Sequence, residues 1–101
     1  MEAELEFGLR PGVLAVRGAI DLALAGQLRS AIDVAADEGR VLLDLSECTF
    51  MDSTGVHAIE RATATGLRVE VHGARRPVRS VLRITGIDRF VLLEPQSEVS
   101  H

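Results

Sequence analysis

The chain contains no lysine, no tryptophan and no tyrosine, and it has a single cysteine. Without lysine, a P-loop lysine, a Schiff base and a lysine general base are all excluded; the 11 basic residues are all arginine. With aromatics at only 3%, base-stacking platforms and aromatic cages are argued against, because both need π faces. A lone cysteine, Cys48, permits no disulfide within the chain, which fits a reducing compartment. No apolar run approaches the roughly 18 residues of a membrane span, and no basic segment leads into an apolar one at the start. A soluble, unexported, cytoplasmic protein with no membrane contact is therefore expected. The net charge of −4 argues against a general attraction to nucleic acid.

What is present suits one small aliphatic domain. A chain of 101 residues is a single domain on length. It buries roughly 60–70% of its unfolded surface, enough for a core without staples. At 47% hydrophobic residues, that core is built from Val, Leu, Ile and Ala.

Leu5 to Arg10 and Val13 to Arg17 read as two strands of a hairpin. Pro11-Gly12 between them suits a type II turn, since Pro sets φ and Gly accepts a positive φ. Alternation in the second run is weak, which predicts a pair covered on both faces. Leu24, Leu28, Ala31, Ile32 and Ala35 then fall at helical spacing, with Asp21 at or just before the N-cap and Gly39 as the residue after the helix. Val41 to Leu45, apolar on both faces, reads as a buried parallel strand, and Ser46 to Met51 as a connection. A second helix opens at Asp52-Ser53-Thr54-Gly55, with Val56, Ile59 and Ala62 as its apolar stripe, and stops at Gly66. Leu67 to Val71 alternates with Arg68 and Glu70, as a strand near an edge does. Pro77 sits in the first turn of a third helix with stripe Val78, Val81 and Leu82, which Gly86 ends. Phe90 to Leu93 closes the pattern as a short strand, and Glu94 to His101 is a polar tail. Strands alternating with helices after a hairpin predict an α/β fold, a mixed sheet packed against helices.

Ser53 carries the main chemical question. A hydroxyl at a helix start normally caps the helix, and it can also receive a group there; Ser53 is expected to do both. Capping requires neither the second hydroxyl, Thr54, nor Gly55 in the first turn, where glycine costs about 1 kcal/mol of helix propensity. A small residue there is expected to leave backbone N–H groups open to an approaching phosphate. Ser53 and His57 are four apart, as a hydrolase pair could be, but the G-x-S-x-G elbow is absent. His57 with Glu60 is at most half a metal site, and His72 and His101 add no paired motif, so neither a metal nor a cofactor is expected. Arg75, Arg79 and Arg83 share one helix face, expected to be solvated, with an acidic partner or a phosphate as the alternative. VLLDL resembles a receiver-domain strand with Asp44 as phosphoacceptor, yet such domains need a late lysine and an acidic pair after the first strand, and both are missing.

Three segments together resemble the STAS domain family, specifically its stand-alone anti-sigma factor antagonists. Gly18-Ala19-Ile20-Asp21-Leu22 is similar to the segment before the family's first helix. VLLDLSECTFMDSTG is similar to its most diagnostic stretch, which ends in Asp-Ser-[Ser/Thr]-Gly. Val81 to Asp88, VLRITGID, is similar to its third-helix signature. The resemblance implies one STAS domain over residues 1–101, with about 95–101 as a tail. It implies a non-enzymatic regulator whose Ser53 is phosphorylated by an anti-sigma factor that is a serine protein kinase. The unphosphorylated form would sequester that kinase and free a sigma factor, and a PP2C-type phosphatase would reset the switch. Asp21, Asp52, Thr54, Gly55, Val56 and His57 are implied near the phosphosite or at the partner surface. His57 stands where the family usually has a small or apolar residue. The alternative is an unphosphorylated STAS subunit of a transporter or larger signalling assembly.

Overall fold

The computed structural model describes residues 6–87 and 92–93. Leu5, Asp88, Phe90 and the polar tail lie outside them. Strands β1 (Glu6–Arg10) and β2 (Val13–Ile20) form the expected antiparallel hairpin, with Arg10 opposite Val13. Gly12 at the turn has φ 79°. That turn is tied down from two sides: Gly12 N–H donates to Ala35 O at 2.7 Å, and Leu42 N–H donates to Gly12 O at 2.8 Å.

Then come α1 (Ala25–Ala35), β3 (Arg40–Met51), α2 (Ser53–Ala64), β4 (Arg68–His72), α3 (Arg76–Ile84) and β5 (Leu92–Leu93). The sheet order is β1-β2-β3-β4-β5, with every pair after the hairpin parallel. Of the expected strand Phe90 to Leu93, only these last two residues are described. β4 lies one position in from the edge, as its polar alternation suggested. Pro77 opens α3, and Gly66 and Gly86 follow α2 and α3 at φ 101° and 80°. A positive φ at the residue after a helix is what glycine tolerates best.

The strand order decides where the core sits. Each parallel step moves the same way across the sheet, and right-handed crossovers then deposit every helix on one face. Leu14 and Val16 of β2, Leu43 and Leu45 of β3, and Val69 and Val71 of β4 point to that face. They share one cluster with Leu28 and Ile32 of α1, Val56 and Ile59 of α2, and Val78 and Leu82 of α3. The expectation of strands covered on both faces is corrected: Val13, Ala15, Leu42 and Asp44 are only half-buried on the opposite, uncovered face. That face carries an exposed charge row in which Arg17 lies 3.7 Å from Glu6 and 3.9 Å from Glu47.

Two other boundaries differ from expectation. α1 ends at Ala35 and does not run on to Gly39. Ala36 turns extended (ψ 140°), and Asp37 to Arg40 close a tight turn with two backbone hydrogen bonds of 2.9 and 3.1 Å. Glu38 (φ 53°) and Gly39 (φ 78°) occupy its two left-handed positions, so Gly39 serves the turn. The connection Ser46 to Met51 is strand: β3 continues without a break for 12 residues.

Candidate functional site

The site stands on the overhanging half of β3. β4 pairs with β3 only as far as Asp44, so Ser46 to Met51 run on beside β2 alone. Along this stretch β3 uses one residue more than β2 twice, between Asp44 and Glu47 and again between Cys48 and Phe50. Each such bulge shifts the side-chain alternation by one. Buried positions therefore step from Leu45 to Cys48 to Met51, three at a time. Phe50, beside buried Met51, is left 50% exposed.

Asp52 turns the chain from strand to helix. Its extended backbone (φ −101°, ψ −175°) places its carboxylate over the first turn of α2. Oδ1 accepts from Thr54 N at 2.9 Å, from Gly55 N at 3.4 Å and from the Thr54 hydroxyl. The Thr54 hydroxyl is the main cause holding the Asp52 carboxyl below its ordinary range; slight burial opposes, and the Gly55 and Thr54 N–H groups add to the lowering. Asp52 is thus the N-cap, anionic at neutral pH, and the expectation that Ser53 caps is corrected. Ser53 is the first helical residue, exposed, and its hydroxyl has no hydrogen-bond partner among the described residues. A capping acid two residues before Thr54 occupies one hydroxyl of the pair and leaves the other free.

Gly55 has a different role from the expected one. It is buried, and a Cβ built on it would lie 2.7 Å from Met51 Cγ and 3.0 Å from Ile20 Cγ2. Its smallness lets the helix start sit down on the ends of β2 and β3; it does not open the backbone to an approaching group. Val56 is 2% exposed and belongs to the core. His57 points outward, with Nδ1 3.1 Å from Glu60 Oε1 in an exposed pair. Among the described residues there is no cluster of three or more His, Cys, Asp or Glu side chains placed to hold a metal ion.

Asp21 is brought to the same rim. Asp52 N–H donates to Ile20 O at 3.2 Å, so Asp21 and Ser53 each follow one member of a bonded pair. Asp21 does not cap α1. It accepts from Ala23 N at 3.1 Å in a local turn, while α1 begins at Ala25 behind Leu24 with no side-chain cap.

The arginine face of α3 is not uniformly solvated. Arg75 Nε donates to Ser46 O at 2.8 Å, on the side of β3 that β4 leaves open, and Arg79 is 8% exposed. Of the three, Arg79 alone is buried; Arg75 and Arg83 are exposed. Cys48 is buried, and that burial pushes its thiol up from the ordinary range.

Sequence reasoning missed two exposed apolar side chains on the segments that the Asp52 to Ile20 bond joins. Leu22 is 75% exposed in the turn after β2, and Phe50 is the other. A signal existed for Phe50. Adjacent strand residues point to opposite faces, so Phe50 and Met51 could not both be buried in a sheet covered on one side.

The start of α2 therefore exposes one hydroxyl, without a hydrogen-bond partner among the described residues, where the ends of β2 and β3 meet. Residues 4–94 match the protein-family model described as "Mlab, STAS domain". A search of curated proteins finds no significant match. Among solved structures, an anti-sigma factor antagonist from Mycobacterium paratuberculosis is 26% identical over 93% of this chain and 86% of that chain, with a TM-score of 0.69. The anti-sigma factor antagonist SpoIIAA in its unphosphorylated form is 17% identical over 93% and 90%, at 0.59. The Bacillus cell fate determinant SpoIIAA in its phosphorylated form is 17% identical over 92% and 93%, also at 0.59. These last two share the fold.

Proposed function

The chain belongs to the STAS domain family, and from that premise we propose that it is an anti-sigma factor antagonist switched by phosphorylation of Ser53. The supporting observation is local: Ser53 is exposed at the start of α2 with its hydroxyl unbonded among the described residues, because Asp52 does the capping. Thr54 is the poorer acceptor of a phosphoryl group, since its hydroxyl already donates to Asp52.

In this reading the unphosphorylated protein binds an anti-sigma factor that is also a serine kinase, and a sigma factor is released. Transfer to Ser53 forms an O–P bond, with the γ-phosphoryl leaving ADP and the hydroxyl proton passing to solvent or to a base of the kinase. The added charge is about −1.5 to −2. The N-terminus of α2 tolerates it, while Asp52 and Asp21 oppose it, so the change falls on the partner surface and the fold is kept. A PP2C-type phosphatase restores the free hydroxyl. The protein is a binding module and supplies no catalysis.

The test is incubation with each purified serine-kinase anti-sigma factor of the source genome and ATP, with the phosphate mapped by mass spectrometry. Modification at Ser53, binding by Ser53→Ala without modification, and loss of binding in Ser53→Asp are expected. Phosphate only at other residues, or undiminished binding by Ser53→Asp, defeats the reading. Co-purification with an ABC-type ATPase in place of a kinase would move the protein to the alternative, a STAS subunit of a transporter.

A further inference from the structure

We propose that the end of the sheet away from Ser53 holds a site for a small amphoteric ligand of the free amino acid class. Its carboxylate would lie between Arg40 and Arg68 and its ammonium group toward Asp37 and Glu38. None of these residues belongs to the start of α2, so the inference is independent of the antagonist reading.

Arg40 and Arg68 are the first residues of β3 and β4 and lie directly opposite one another in the parallel register. Their neighbours Val41 and Val69 are buried in the core, so both arginines are directed to the uncovered face, where both are exposed. Neighbouring strands run about 4.8 Å apart, and like charges set directly opposite destabilise a sheet. An ion pair would offset that repulsion, but neither guanidinium has one among the described residues. Glu70, two residues along the same face of β4, lies 3.2 Å from His72. The positive pair is thus left for something outside the chain.

The two arginines line a cavity of about 350 Å³, within the roughly 300–1,000 Å³ of small-molecule sites. Asp37 and Glu38 line it too, from the tight turn before β3. That turn lies beside the β1–β2 turn, since a Cβ built on Gly12 would be 3.6 Å from Asp37 Cβ. Both carboxylates are exposed, and neither has a side-chain partner among the described residues. Val13 and Leu42, half-buried and paired in register, give the cavity an apolar wall.

The charges are therefore separated, with arginines at the starts of β3 and β4 and carboxylates toward the β1–β2 turn. A simple anion would also meet the acids, and a simple cation the arginines. A molecule with one group of each sign and an aliphatic side chain for Val13 and Leu42 matches the whole lining. A guanidinium offers a carboxylate two parallel N–H donors, so a pair on adjacent strands can clamp one head group. The frame is fixed by backbone bonds: Leu42 N–H to Gly12 O and Arg68 N–H to Gly39 O, both 2.8 Å, and the two between Asp37 and Arg40.

The experiment titrates the isotope-labelled full chain with each of the protein amino acids in turn and follows the backbone amide resonances. L-Leucine, L-isoleucine or L-valine should give saturable shifts at about millimolar concentration. The shifts should fall on Val13, Asp37 to Leu42 and Arg68 to Glu70, with Ser53 to His57 unmoved. Arg40→Gln, Arg68→Gln and Asp37→Asn should each raise Kd roughly tenfold or more, and Arg83→Gln should leave it within about twofold. Isovalerate, with the carboxylate alone, and isoamylamine, with the ammonium alone, should bind roughly tenfold more weakly or worse. Far-UV circular dichroism checks that the variants are folded, and the shift map of the unaltered protein depends on no variant. No saturable shift with any amino acid, shifts confined to other residues, or folded variants that bind like the wild type would each refute the site. Isovalerate binding as tightly as leucine would refute the amphoteric assignment. None of these outcomes bears on phosphorylation of Ser53.

Discussion

Replacing Asp52 by alanine should destabilise the domain, and replacing Ser53 should not. Asp52 Oδ1 takes two backbone N–H groups at 2.9 and 3.4 Å and the Thr54 hydroxyl. Loss of an N-cap side chain costs about 0.5–2 kcal/mol. Removal of the negative charge from a helix N-terminus adds about 0.3–1 kcal/mol. A total of about 1–3 kcal/mol corresponds to a fall in Tm of about 4–24 °C for a domain of this size. Ser53→Ala removes a hydroxyl with no partner among the described residues, so its change should stay within about 0.5 kcal/mol. The chain has no Trp or Tyr, so unfolding is followed by far-UV circular dichroism in urea and on heating. The pH dependence gives a second reading. The Asp52 carboxyl titrates lower in the folded protein than in the unfolded chain. Its contribution is therefore full above the ordinary aspartate value of about 3.9 and is lost as pH falls through the lower folded value. The gap between wild type and Asp52→Ala should close over that acid window. A loss in Ser53→Ala as large as that in Asp52→Ala would refute the assignment of the cap, as would an Asp52→Ala variant as stable as the wild type.

Two further outcomes follow from the packing. Gly55→Ala gains up to about 1 kcal/mol of helix propensity but forces a methyl against Met51 and Ile20, an overpacking of about 1–3 kcal/mol. A net loss of about 1 kcal/mol in urea unfolding is expected, and a more stable variant would show that the contact yields freely. Cys48 should be inert to dithionitrobenzoate at pH 8 in the native protein and react only as the chain unfolds; prompt reaction would contradict its burial. Because the thiol ionises first in the unfolded chain, at about pH 8.5, native stability should also decline as pH rises from there toward the higher folded value.

Local chemistry was legible where one residue type dictates one backbone state. Pro11-Gly12, Pro77, Gly66 and Gly86 each marked the boundary they form. The motif at Asp52 to Gly55 marked the start of α2, but its internal division of labour was not legible. Asp and Ser are both good caps, and only the extended backbone at Asp52 decides between them. Gly39 misled because the same glycine suits a helix end and a tight turn. The overhang of β3 read as a loop because its inward residues, Leu45, Cys48 and Met51, are three apart, whereas a regular strand repeats every two. Gly55 looked like an opening because its neighbour across the contact, Ile20, is remote in sequence.

The two bulges of β3 set the rotational phase of α2. Each extra residue flips the following side chains to the other face, and the second flip restores the first, so Met51 points inward and Asp52 meets Ile20. Deleting one residue between Ser46 and Phe50 would leave an odd number of flips. Met51 would turn outward, Phe50 would be driven at the core, and Ser53 would swing off the rim by a fraction of a helical turn. This stretch therefore admits changes of residue far more readily than changes of length. A length-altered relative with the same Asp-Ser-Thr-Gly letters would carry the motif without the presentation.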